Sequence, residues 1–192
     1  MKNTLKFLYP TLILAAICLI VSLALSSTNA VTEEKIEKIN AEKTEEAMSR
    51  VLKAESYTEK TVRKDDGVIT YYEAADDGEV KGYIFITGAN GYGGEVKVMT
   101  AVLPDKTVKA VEILDVSSET PGLGQNATNE SFYNQFSGKK SGITVLKTGA
   151  DSESNEINAI TGATITSRAA TKAVNEALDI CDEIQTEVSS NE

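Results

Sequence analysis

Between Phe7 and Val31 the chain carries no charged residue, and Leu12, Ile13, Leu14, Ile17, Leu19, Ile20, Val21, Leu23 and Leu25 make the stretch strongly apolar. As a helix it is long enough to cross a hydrocarbon core of about 30 Å, with membrane lipid as its first partner. The 192 residues leave room beyond it for one domain with a real core and little more. Lys2 and Lys6 precede the run, while Glu33 and Glu34 follow it together with Lys35 and Lys38. A short, purely basic N-terminal flank predicts a cytoplasmic N-terminus and an extracytoplasmic remainder. Pro10 is expected in the first turn, where it is tolerated. The other reading is a cleavable signal peptide, because Thr28-Asn29-Ala30 fits a cleavage site. Signal h-regions run about 7–15 residues, so the length favours a retained anchor. The expected organisation is a cytoplasmic tip and transmembrane helix over 1–31, a helical connector over 32–56 and an extracytoplasmic domain over 57–192.

The charge pattern narrows the chemistry. Two of the 19 basic residues lie before the apolar run, so the remainder sets 17 against 29 acidic residues, a formal charge of −12. Such a surface repels phosphate backbones, which argues against nucleic-acid binding. There is no histidine, which removes the usual proton shuttle and the commonest metal ligand. Ser-His-Asp, Cys-His and zinc-hydrolase sites are thereby excluded. The two cysteines, Cys18 in the apolar run and Cys181 near the C-terminus, cannot alone hold a cluster and read as small buried hydrophobes. Ile17 stands before Cys18 where a lipoprotein needs a small residue.

Hydrophobic periodicity places the elements. From Thr32 to Ser56 the chain is rich in Glu, Lys and Ala, and Ile36, Ile39, Lys43, Ala47 and Val51 draw a partial stripe at helical spacing. Thr32 occupies an N-cap position, and the helix reads equally as a packed element or a solvated spacer. Four strands are predicted: one at Val68–Tyr72, one from Val80 to Thr87 beyond Asp76-Asp77-Gly78, then Glu95–Leu103 and Val108–Val116 around Pro104-Asp105-Lys106. A short helix is expected over Asn129–Phe136, and further strands at Ile143–Leu146 and Ile157–Ile160. From Ser167 a last helix carries Ala170, Val174, Ala177, Leu178, Cys181 and Ile184 on one stripe, with Lys172, Glu176, Asp179 and Glu183 outside it. The fold class is α+β, a twisted, mainly antiparallel sheet flanked by helices.

Thr161-Gly162-Ala163-Thr164 falls where the last strand gives way to that helix. The first free N–H groups and the positive dipole end of a helix face an anion at such a place. Gly162 allows a close backbone, Ala163 keeps the turn small, and Thr161, Thr164, Thr166 and Ser167 crowd hydroxyls around one spot. Four residues alone are also compatible with an ordinary helix start that binds nothing. The Glu119 to Gly124 loop and the Gly91 to Gly94 loop read individually as structural turns.

In combination these segments carry more. Asn158 to Arg168, Gly91-Tyr92-Gly93-Gly94 before a Val-rich strand, and Glu119-Thr120-Pro121-Gly122-Leu123-Gly124 followed by Phe132 and Gln135-Phe136 stand in the order of the FMN-binding domain family, which the chain resembles from about Tyr83 to Ala173. With one N-terminal span and this length, it looks like the G subunits of Rnf ion-translocating ferredoxin:NAD oxidoreductases. It is less similar to the usually longer C subunits of sodium-pumping quinone reductases. The resemblance implies that a flavin transferase moves FMN from FAD onto Thr164 as a phosphoester, with Thr161, Gly162 and Ala163 shaping the turn and Thr166 and Ser167 beside it. It implies an isoalloxazine ring near Glu119, Thr120, Gly122 and Leu123. The family's motif often begins with Asp six residues before the modified Thr, where this chain has Asn158. Arg168 reads as a partner for the phosphate or for a surface carboxylate.

The chain has no nucleotide fingerprint, cluster cysteines or acid/base set, so substrate chemistry belongs to partners. The implied role is a non-autonomous electron relay among membrane and iron-sulfur subunits of a complex that couples electron flow to Na+ or H+ movement. The alternatives are a free-standing extracytoplasmic flavoprotein reductase and a non-redox module for a phosphorylated ligand.

Overall fold

The computed structural model describes residues 2–64, 67–151 and 153–190, with side chains described over 9–28, 32, 43–62, 69–151 and 153–186. The chain divides into two compact units, Met1–Glu45 and Glu46–Glu192. One helix, α1, runs Lys2–Val51. Its segment Tyr9–Thr28 is long and apolar enough to cross a membrane, and Leu12, Leu14, Ile20 and Leu25 project from it without protein cover. Such bare apolar surface fits a lipid surrounding.

Two sequence expectations change here. Pro10 lies inside α1 rather than in its first turn, where its ring removes one i to i−4 hydrogen bond. Thr32 does not cap a new helix: its hydroxyl donates back to the Thr28 carbonyl at 2.9 Å. No glycine or proline between Thr28 and Thr32 interrupts the helical ladder. Of the expected connector stripe, Ala47 and Val51 are buried and Lys43 is exposed, while Ile36 and Ile39 fall outside the described side chains.

The second unit is built on five strands, β1 Ser56–Lys64, β2 Gly67–Asp76, β3 Glu79–Asn90, β4 Glu95–Val102 and β5 Val108–Asp115. They form one antiparallel sheet in sequence order. A separate parallel pair joins β6 Thr144–Leu146 to β7 Glu156–Asn158. The α-helices beyond α1 are the short α2 Glu130–Tyr133 and the long α3 Thr164–Ser190, with 3-10 turns at Gly124–Thr128 and Asn134–Phe136. The expected α+β architecture is therefore the one adopted, with one strand more than the four-strand meander. β1 escaped prediction because SYTEKTVRK has no continuous apolar alternation; it is an edge strand held by full register with β2 and by a Lys60–Glu73 ion pair.

Turn chemistry sets the register. Asp77 and Gly78 both have positive φ, 50° and 85°, the primed-turn geometry that matches strand twist between β2 and β3. Between β4 and β5, Lys106 at φ 65° closes a short loop in which its N–H bonds to the Leu103 carbonyl.

The period-two alternation of β4 serves two cores. Val96, Val98 and Val102 face α3 with Phe85, Val108 and Val111. Met99 and Ala101 face the other side, where Ala47, Met48, Val51 and Leu52 cover Ala74 and Ile84. The end of α1 is thus a packed layer of the domain. On α3 all six expected stripe residues are buried, as are Ala169, Ala173 and Ile180. Small alanines let the helix lie close to the sheet, close enough for the Thr87 hydroxyl to donate to the Ala173 carbonyl at 2.8 Å.

One buried group in this interface is unsatisfied. Among the described residues, the Thr100 hydroxyl, on β4 beside Val98 and Val102, has no hydrogen-bond partner. Desolvating a hydroxyl without compensation costs free energy. Thr100→Val keeps the shape and the β propensity, and is expected to raise stability by about 1 kcal/mol, read as a higher denaturation midpoint of the purified chain.

Candidate functional site

The Thr161 to Thr164 segment forms a tight turn into α3. The Ala163 N–H bonds to the Ile160 carbonyl at 3.0 Å, and Gly162 at φ 78° occupies the position where a type II turn needs left-handed backbone. The first helical carbonyl is that of Ala163, which accepts the Ser167 N–H at 3.0 Å. Ala163 is therefore the N-cap, and its methyl group caps nothing. Among the described residues, no protein acceptor takes the N–H groups of Thr164, Ile165 and Thr166. The helix begins at Thr164, three residues before the sequence-based start, so the Thr164 hydroxyl stands in its first turn, half-exposed.

The four hydroxyls crowded at this place divide into two kinds. Ser167 is fully buried; its Oγ accepts the Ile160 N–H and donates to the Ala163 carbonyl, both at 2.9 Å. Thr166 is buried and its Oγ1 donates to Glu119 Oε2 at 2.7 Å. Those two are occupied in holding the turn, while Thr161 and Thr164 remain accessible.

Glu119 is likewise turned inward. Its side chain, in a residue only 3% exposed, accepts the Tyr92 N–H at 2.7 Å and the Gly93 N–H at 3.0 Å through Oε1, besides the Thr166 hydroxyl. One carboxylate thereby ties the β3–β4 loop, its own loop and the start of α3. The neighbouring glycines leave room for it. A Cβ at Gly91 would stand 2.2 Å from Glu119 Oε1, and one at Gly124 would stand 2.4 Å from Oε2.

The Glu119 loop makes a turn of its own. The Leu123 N–H bonds to the Thr120 carbonyl at 3.1 Å, with Pro121 and Gly122 at φ 76° as the central residues, the residue pattern of a type II turn. Leu123 then reaches the attachment turn: its Cδ2 lies 2.9 Å from where a Gly162 Cβ would be. Thr120, Gly122 and Leu123 are exposed beside Thr161 and Gly162. Next to Thr161 opens a neutral cleft of about 360 Å3, lined in part by Asn126, Asn129, Phe132, Gln135 and Asn158.

Asn158 acts through its oxygen. Oδ1 accepts the Ala150 N–H at 3.0 Å, and the Asn158 N–H donates to Gln135 Oε1 at 2.8 Å. An amide serves this acceptor role as a carboxylate does. Arg168 is exposed one turn beyond Thr164, on the same helix face. Sequence reasoning placed Glu119, Thr166 and Ser167 against a ligand, whereas their polar atoms serve the scaffold. It assigned no role to Tyr92, which the clasp brings to the same rim.

An FMN phosphoester fits these residues: an accessible hydroxyl, three N–H groups without protein partners, a backbone opened by Gly162, and a rim without charge. The segments Gly91–Gly94, Thr120–Gly124 and Thr161–Ser167 contain no Asp, Glu, Lys or Arg.

Burial pushes the Glu119 carboxyl up, but the hydrogen bonds from Thr166, Gly93, Tyr92 and Gly94 outweigh it and hold the group below its ordinary value of 4.5. Its contribution to stability is complete above that value and is lost as pH falls through the lower folded value. Glu119→Gln is expected to cost about 1.5–3 kcal/mol at neutral pH. The gap between wild type and variant should narrow in acid, as read by urea unfolding at pH 7 and below pH 4.

Comparison with known proteins identifies the family and the fold. The family model described as "FMN-binding domain" matches residues 91–179. The G subunit of the Na(+)-translocating ferredoxin:NAD(+) oxidoreductase complex of Acetobacterium woodii is 37% identical over 185 residues, 88% of each chain. The proton-translocating counterpart from Clostridium ljungdahlii is 41% identical over 117 residues, spanning 60% of this chain and 62% of its own. Among solved structures, the C subunit of the Na(+)-translocating NADH-quinone reductase from Parabacteroides distasonis superposes with a TM-score of 0.50 at 26% identity, over 59% of this chain and 60% of that one. The NqrC of Shewanella oneidensis has the same fold, with a TM-score of 0.53 over 62% of each chain at 24% identity. On this evidence of sequence and fold together, the chain belongs to the family of G subunits of ion-translocating ferredoxin:NAD+ oxidoreductase complexes and carries that family's FMN-binding, electron-transferring domain.

Proposed function

We propose that the chain carries one FMN covalently, as a phosphoester of the Thr164 hydroxyl, and relays electrons outside the cytoplasm within an Rnf complex that moves Na+ or H+. The observation that carries this reading is the division of labour around the turn. Thr164 combines an accessible hydroxyl with an adjacent set of unbonded N–H groups, whereas Thr166 and Ser167 are consumed by the scaffold.

Attachment requires a flavin transferase and FAD. The Thr164 oxygen bonds to the FMN phosphorus, AMP leaves, and the hydroxyl proton passes to a base of the transferase. This chain needs no base of its own, in keeping with its lack of histidine. The N–H groups of Thr164, Ile165 and Thr166, with the helix dipole behind them, are the groups that would hold the phosphate. Arg168, exposed one turn further along the helix, would add a positive charge on the same face. Leu123 and the uncharged rim present a surface for a flat, neutral ring.

Once bound, FMN supplies one-electron chemistry that no side chain here offers. The protein holds the ring and leaves donors and acceptors to the iron-sulfur and membrane subunits. Lys2 and Lys6 ahead of the Tyr9–Thr28 span support an N-terminus inside and a flavin domain outside.

Coexpression with a flavin transferase tests the reading. Wild type should show flavin fluorescence in a denaturing gel and the added mass of one FMN. Thr164→Ala should lose both, and Thr166→Ala should keep them. A wild-type chain with neither fluorescence nor added mass refutes covalent attachment.

A further inference from the structure

We infer that Tyr92 is a contact residue for the flavin, its phenol ring stacking on the isoalloxazine held at Thr164. This inference rests on the covalent-flavin reading above and adds to it a residue that the resemblance did not assign.

The Gly91–Gly94 loop has one side chain, and its neighbours dictate where that side chain goes. The loop closes on itself through the Gly91 N–H to the Gly94 carbonyl at 2.7 Å. Its floor is pressed onto the Ser118–Glu119 backbone. A Cβ at Gly93 would stand 2.0 Å from the Ser118 carbonyl oxygen, and one at Gly94 would stand 2.7 Å from the Ser118 Cβ. The space beneath the loop is therefore filled, and the Tyr92 ring projects away from it at 73% exposure. Among the described residues the ring meets no other aromatic and the hydroxyl takes no hydrogen bond.

An aromatic side chain left bare forgoes the burial that makes such residues worth having. Tyr92 is not bare at random. Among the described residues outside α1 the exposed large hydrophobics are Val80, Tyr92, Leu123 and Ile165, and three of these four belong to segments that adjoin the attachment turn. Ile165 follows Thr164 in the chain, Leu123 lies over Gly162, and the Tyr92 backbone N–H is tied to the Thr166 hydroxyl through the two oxygens of Glu119. These three segments, which carry no charged residue, stand out on a domain of strongly acidic composition. The isoalloxazine is flat, neutral and electron-poor, and an electron-rich phenol is a favourable face for it to stack on.

Two readouts follow from that contact. A stacked phenol quenches flavin emission, because an electron passes from the ring to the excited flavin and returns. It also favours the electron-poor oxidised flavin over the electron-rich reduced form, which lowers the midpoint potential. The test uses the full-length chain coexpressed with a flavin transferase and purified in detergent. Flavin content is measured by mass and by emission after denaturation.

With equal flavin content, folded Tyr92→Leu should be several-fold brighter than wild type and have a higher potential. Tyr92→Phe should keep the wild-type potential while losing the quenching, because it retains the ring without the easily oxidised phenol. Unchanged emission and potential in fully flavinylated Tyr92→Leu overturn the contact and leave the attachment standing. Absence of flavin from the wild type overturns the attachment and the contact with it.

Discussion

A single buried carboxylate holds the candidate site together. Glu119 accepts hydrogen bonds from Tyr92, Gly93 and Thr166, so three segments far apart in sequence converge on two oxygen atoms. A buried carboxylate is costly unless its acceptor capacity is filled. Here backbone amides and a hydroxyl fill it, and the group stays ionised. The arrangement explains the glycines around it, since Gly91 and Gly124 leave room for its oxygens and Gly93 for the Ser118 carbonyl. A methyl group at any of them would push the loops apart.

The same carboxylate bears on the start of α3. Ala163 provides no side-chain cap, yet the first turn is fixed by Glu119 through Thr166 and by Ser167 through Ile160 and Ala163. Both bonds use side chains rather than the N–H groups of the first turn. The helix end is therefore ordered without its anion-binding capacity being spent, a form of preorganisation for a phosphate.

Much of the fold was legible in the sequence because its signals are periodic. The stripe on α3, the alternation in β4 and the Asp77-Gly78 turn are local consequences of side-chain direction and backbone sterics. β1 was not legible, because its stability lies in pairing with β2 rather than in its own pattern. The break expected at Thr32 was an error of a different kind. A good capping residue marks a helix start only where the preceding chain is not already helical, and α1 continues through it. At the site, Thr161, Thr164 and Leu123, which the sequence singled out, are accessible. Glu119, Thr166 and Ser167 are bonded into the scaffold, a role the sequence did not show, because a polar residue in a glycine-rich motif looks the same whether it serves a ligand or the loop. Only burial and partners separate the two roles.

That separation bears on why one hydroxyl among several would be modified. Thr161, Thr164, Thr166 and Ser167 lie within seven residues of one another, and composition does not rank them. Ser167 and Thr166 are 0% and 1% exposed, with their oxygens engaged; a transferase would have to break the turn to reach them. Thr161 is accessible but precedes Gly162, three residues before the helix begins. A phosphate built on Thr161 would lose part of that electrostatic stabilisation, which fades within the first turn of a helix. Thr164 alone combines access with proximity to those groups, so the choice of residue under the proposed reading follows from helix geometry without a special recognition element.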